Sequence, residues 1–140
     1  MQYLDYEKLD VYRHAMNLVL VLETIVDRLP IGRGYLVDQL RRASTSIVLN
    51  IAEGAGEHAP AEKIRFYRMA KRSGTECASI VEICLHLCLI DEESYRKLRE
   101  QVIRISAMLT KMTQAKEPMP LPVVPLPLPV PLPSSGPEGD

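Results

Sequence analysis

Tryptophan is absent from this 140-residue chain and phenylalanine occurs once, so the core it buries is expected to be aliphatic. No window reaches 18 uninterrupted apolar residues, the length a membrane-spanning helix needs, so no membrane association is expected. The opening MQYLDYEKLD carries no apolar signal-peptide core. Three cysteines make neither a zinc-ribbon nor a disulfide framework, which fits a reducing cytoplasm. A strong excess of one charge is missing too. The formal net charge is -1, and all 17 Lys and Arg lie in residues 1–116 against 15 of the 18 Asp and Glu, so that body stands at +2. Charge alone therefore does not mark a nucleic-acid binder. Catalytic signatures are also lacking. No Gly-x-Ser-x-Gly elbow presents Ser44, Ser46 or Ser73, and Gly54-Ala55-Gly56 lacks the lysine and preceding strand of a phosphate-cradling loop. His14, His58 and His86 share no motif. No residue set supports an enzyme or a cofactor.

What is present is helical periodicity. Gln39–Gly54, QLRRASTSIVLNIAEG, reads as one helix with two unlike faces. Leu36, Leu40, Ala43, Ile47 and Ile51 form an apolar stripe at three- and four-residue steps, and Gln39, Arg42, Ser46, Asn50 and Glu53 form a polar one beside it. Gly54 and Gly56 are expected to end it in the left-handed conformation. A preceding helix is expected over Asp10–Leu29, with Val11, Ala15, Leu18, Leu22, Ile25 and Leu29 as its seam. Tyr12, Met16, Val19 and Val26 add a second apolar strip there, covered either by deep burial or by a neighbouring subunit. A third helix is expected over Pro60–Leu89, seamed by Phe66, Ala70, Ser73, Cys77, Ile80, Cys84 and Leu87. A fourth follows over Asp91–Thr113, with Asp91 as its cap and Tyr95, Leu98, Val102, Ile105, Leu109 and Met112 as its seam. Short connections make neighbours antiparallel, and the expected fold is an all-α, up-down four-helix bundle over residues 1–116. From Pro118 the composition changes to PMPLPVVPLPLPVPLP, so 117–140 is expected to be a disordered or extended proline-rich tail, a linker end or a ligand for proline-binding domains.

Three groups of side chains invite a functional reading. Cys77, Cys84 and Cys88 lie on one face of the third helix; as thiolates they would suit a metal, but as seam residues they are small apolar fillers, and no further ligand pair completes a site. Arg41 or Arg42, Asn50, Glu53 and Glu76 flank apolar seams, where charges need partners; they form either an internal polar clamp or a ligand pocket. Lys63, Arg65, Arg68, Lys71 and Arg72 crowd the first half of the third helix, with Arg41 and Arg42 on the second. In a monomer such a run is a solvated face; repeated around an oligomer its fields would add and attract phosphates.

The words Gln39-Leu40-Arg41-Arg42-Ala43, Ser46-Ile47 and Asn50-Ile51-Ala52-Glu53-Gly54, with YEKLDVYRHA at Tyr6–Ala15 and Leu29-Pro30, resemble a known family. It is the family of four-helix bundle proteins named for open reading frames in intervening sequences of bacterial large-subunit ribosomal RNA. The resemblance covers roughly residues 6–112. Ala70, Ser73 and Glu76 match the family's third-helix word, while Arg72 and Gly74 replace its glycine and leucine, Ala59 replaces its capping serine, and the proline tail is foreign to it. The resemblance implies homopentameric rings. It also implies a fold similar to the accessory variability determinant of diversity-generating retroelements, which partners a reverse transcriptase and binds nucleic acid through a basic surface. The function expected on that ground is a non-enzymatic, nucleic-acid-associated accessory protein acting on RNA or DNA. The alternative is a protein-interaction scaffold with no nucleic-acid role.

Overall fold

The computed structural model describes residues 2–114 and the isolated Pro125, so the expected tail lies almost wholly outside the described residues. Within them all regular structure is helical: a 3-10 turn over Asp5–Lys8, then α1 (Asp10–Val26), α2 (Gly34–Gly56), α3 (Pro60–His86) and α4 (Glu92–Gln114). Each helix packs on its neighbours in sequence and α4 closes on α1, while the backbones of the diagonal pairs stay apart. The α2–α3 pair is antiparallel. Ser46 meets Ser73 near the middle, and Gly54 at the end of α2 meets Tyr67 near the start of α3.

The stripes on α1, α2 and α4 bury as their spacing requires. Val11, Ala15, Leu18, Leu22 and Ile25 face Leu36, Leu40, Ala43, Ile47 and Ile51 in one core with Leu98, Val102, Ile105 and Leu109. The second strip on α1 divides. Val26 joins the core, Tyr12 and Val19 are half-buried, and Met16 faces solvent. Tyr12 is covered from within the chain, since Tyr6 of the 3-10 turn stacks on it with ring centroids 4.6 Å apart.

On α3 the seam is shifted by one residue in its first half. Tyr67 and Gly74 are buried where Phe66 and Ser73 were expected, and Leu87 is exposed. The reason is Gly54. It lies inside α2, fully packed, and its missing side chain leaves the room that the Tyr67 ring fills. The left-handed ending expected of Gly54 and Gly56 is therefore incorrect; among the described residues only Gly32 and Cys88 have positive φ. Nor is the core purely aliphatic, because Tyr67 is its largest fully buried side chain.

Helix ends also differ from the periodicity. Proline disfavours helix at the residue before it, so α1 stops at Val26 and tighter turns carry the chain to Leu29-Pro30. At the other end of the bundle α3 stops at His86, short of Leu89. Leu89 N–H returns to Cys84 C=O and Cys88 N–H to Leu85 C=O, both at 2.9 Å. This paired closure needs one left-handed residue, and Cys88 supplies it at φ 59° where glycine is usual. Asp91 caps α4 as expected, its Oδ1 accepting the Ser94 N–H at 2.8 Å.

Candidate nucleic-acid interface

The basic residues separate by what they touch. Arg41 is held by α1: its Nε and Nη2 donate to Oε1 and Oε2 of Glu23, each at 2.9 Å. That two-pronged bond holds the Glu23 carboxyl below its usual range and raises the Arg41 guanidinium. Arg41 therefore ties α2 to α1. Arg42, its neighbour in sequence, is exposed, and no ion pair engages it among the described residues. Both line an open groove of about 460 Å³ with Thr45, Ser46, Leu49 and Asn50.

The expected arginine–glutamate clamp is not what spans α2 and α3. Glu53 and Glu76 are exposed, and no ion pair involves either among the described residues. Nor does Asn50 itself bridge: among the described residues it bonds only to Ser46 on its own helix, and the crossing to α3 is a neutral Ser46–Ser73 contact. Asn50 Nδ2 donates to the Ser46 carbonyl at 2.9 Å and to Ser46 Oγ at 3.0 Å, and Ser46 Oγ shares a hydrogen bond with Ser73 Oγ at 2.8 Å. Small hydroxyls suit this place because the two helices approach closely, whereas a carboxylate gains more by staying in water.

On α3, Lys63 turns back to α2. Its Nζ donates to the carbonyl of Gly54 at 2.8 Å, which also accepts the Glu57 N–H, and to that of Ala55 at 3.1 Å, at the end of α2 where carbonyls lack intrahelical partners. Arg65 lies over the Phe66 ring with Cζ 4.6 Å from the centroid, and Glu62 accepts from its Nε and Nη2 at 2.9–3.2 Å. Arg68 and Arg72 are exposed and Lys71 is half-buried. Sequence reasoning gave Glu23, Glu62 and Phe66 no part in the basic surface, and placed Phe66 in the core seam. The three-residue spacing of Glu62 and Arg65 was a usable signal; the contact of Glu23 with Arg41, 18 residues apart, left none.

The cysteines do not converge. Cys77 and Cys84 are buried in the core and Cys88 sits exposed beyond the helix end, so the single face expected for all three is incorrect. Burial, with the charge of Glu76 adding to it, pushes the Cys77 thiol from 9.0 up to about 12. Burial also raises Cys84, against an opposing influence of Arg33, and raises the Tyr67 hydroxyl. The sign of the resulting pH dependence follows. Above pH 9.0 the unfolded chain sheds the Cys77 proton while the folded chain keeps it to about 12, so stability should fall across that window and not below it. Denaturant melts through that range should show the loss. An alkylating reagent at about pH 8 should modify only Cys88 in the native protein and all three thiols after unfolding; native labelling of Cys77 would contradict this burial.

Fold and site together define a class: a helical bundle that joins its helices through small polar contacts and carries arginines on an outer face. Among the described residues no helix is long and apolar enough to cross a membrane, and no three His, Cys, Asp or Glu come together as a metal site. The chain belongs to the 23S rRNA-intervening sequence protein family, which it matches over residues 7–111. No curated protein matches it. Among solved structures it is similar to a protein of unknown function from the S23 ribosomal protein family of Bacteroides thetaiotaomicron VPI-5482. That likeness has a TM-score of 0.69 at 19% identity, covering 74% of this chain and 98% of the other, and it concerns the fold.

Proposed function

We propose that this protein is a non-enzymatic, homo-oligomeric accessory protein of the cytoplasm that binds RNA or DNA, assembles as a pentamer and partners a reverse transcriptase. The observation that carries the nucleic-acid reading is the first half of α3. Residues 60–75 hold Lys63, Arg65, Arg68, Lys71 and Arg72 against the single acid Glu62; Glu62 offsets Arg65 and Lys63 turns to α2, so Arg68, Lys71 and Arg72 supply the face, and Arg42 stands exposed on adjoining α2. Repetition of that face around an oligomer sums its field despite a whole-chain charge of -1. The family is named for 23S rRNA intervening sequences, which makes RNA the first polymer to test. The pentamer and the reverse transcriptase rest on the family resemblance.

The test is a salt titration of binding to single- and double-stranded RNA and DNA. Affinity should fall with salt at a log–log slope of roughly -0.9 per phosphate neutralised on duplex DNA and -0.7 on single strands. Arg72→Ala/Lys71→Ala should reduce that slope by somewhat under one unit for each phosphate no longer neutralised and weaken all sequences alike, at unchanged oligomer mass. Absence of binding at ~50 mM salt would reject the reading. The second reading, a protein scaffold, is favoured by one feature. An open groove of about 760 Å³ between α3 and α4 is lined by Ala78, Val102, Ile103 and Ala107, with Ile103 exposed.

A further inference from the structure

We propose that Arg65, laid over Phe66 and held by Glu62, is a stacking platform for an unpaired nucleobase, so that the polymer bound is single-stranded. This rests on the nucleic-acid reading above and goes beyond it in naming the form of the ligand. An arginine recognises phosphate through the N–H donors on the edge of its guanidinium. At Arg65 three of the five N–H donors on that edge are already engaged. Nε donates to both Glu62 oxygens at 3.2 Å, Nη2 donates to Glu62 Oε2 at 2.9 Å, and Nη1 lies 3.7 Å from the Met69 sulfur. The Glu62 charge offsets that of Arg65, and the nearby charge of Glu57 makes the spot still less welcoming to a phosphate.

What remains most open is the planar surface. The guanidinium carbon Cζ lies over the Phe66 ring, 4.6 Å from its centroid, and the side chain as a whole stays 54% exposed. Phe66 is the chain's only phenylalanine, and the core passes it over for Tyr67, leaving it half-buried beneath Arg65. Support from the ring and the carboxylate fixes a flat, polarisable cation in place before any ligand arrives, so little side-chain entropy is lost on binding. Bases stack on such planes, and aromatic and arginine planes are the usual partners of single strands. A duplex base already has neighbours on both faces and offers nothing to stack. Arg68 and Arg72, exposed three and seven residues further along α3, lie where the backbone of the same strand would pass.

The experiment compares a short oligodeoxyadenylate with an abasic strand of equal length and phosphate count. Wild-type protein should prefer the adenine strand by roughly 5- to 150-fold for each stacked base. Arg65→Lys keeps the charge and removes the plane. It should bring that preference close to unity while leaving abasic-strand binding and the salt slope unchanged, because the Arg65 charge is already compensated. Phe66→Leu, which removes the support, should lower the preference with Arg65 retained. Arg72→Ala should weaken both strands equally and lower the slope. The inference is overturned if Arg65→Lys retains the adenine preference, if it weakens both strands alike, or if a duplex of the same length binds as tightly as the adenine strand. Those results leave phosphate binding standing. If wild-type protein binds neither strand, the nucleic-acid reading falls as well.

Discussion

Gly54→Ala should destabilise the protein, although helix propensity alone favours alanine over glycine by about 0.8–1.0 kcal/mol. The added Cβ would stand 2.6 Å from Cε1 and 2.9 Å from Cδ1 of Tyr67, and 3.1 Å from Cβ of Phe66. None of these is the loose end of a side chain. The Tyr67 ring is only 1% exposed, and Phe66 Cβ moves only with the α3 backbone. Relief therefore means backing α3 away from α2, which also stretches the Ser46–Ser73 hydrogen bond and the Lys63 bonds to Gly54 and Ala55. Overpacking of this kind costs about 1–3 kcal/mol and occasionally more, so the net loss should be about 1–2 kcal/mol for alanine and larger for valine. Against a typical domain stability of roughly 5–15 kcal/mol that is a large fraction. Denaturant melts of Gly54→Ala, Tyr67→Leu and the double variant give the coupling directly. The double variant should lose less than the sum of the singles, because the alanine methyl occupies space that the ring vacates. An unchanged Gly54→Ala midpoint would mean that the helices part without cost.

Leu20→Glu should leave a monomer where the proposed assembly gives the wild type an oligomer. Leu20 is 60% exposed on the outward side of α1, with Met16 one turn before it at 37%. The neighbouring strip finds cover inside the chain, Tyr12 beneath Tyr6 and Val26 in the core, whereas Leu20 stays mostly open and Met16 partly so. Each apolar side chain left in water forgoes about 25 cal/mol for every Å² that a partner would bury. A carboxylate there would have to be desolvated on association, which opposes it strongly. Light scattering after size exclusion should report a wild-type mass several-fold above 15.8 kDa and a Leu20→Glu mass near it, with helical circular dichroism retained. A monomeric wild type at all concentrations would remove both the ring and the summed field on which the phosphate-binding proposal depends.

Local patterns were legible without coordinates. Leu36, Leu40, Ala43, Ile47 and Ile51 had to share one side of a helix, and they are buried together. Asp91 had to cap α4, because an aspartate placed just before a helical run accepts the N–H groups that the first turn leaves open. Such features depend on residues within a turn or two of one another. The Tyr67 and Gly74 seam was not legible, because periodicity on α3 cannot register a vacancy that Gly54 opens on another helix. The end of α3 was not legible either, because Cys88 adopts a conformation that composition assigns to glycine. The proposed binding surface was legible as a run of cations and illegible as chemistry. Whether an arginine offers its edge, its face or neither depends on its neighbours, and Glu23 reaches Arg41 only after α1 has packed on α2. Sequence by itself determined four helices and the stripes that bury three of them, α1, α2 and α4, since helical periodicity is local. Only the tertiary structure decided which side chains fill the core at each level and which cations stay available, since those outcomes belong to contacts between helices.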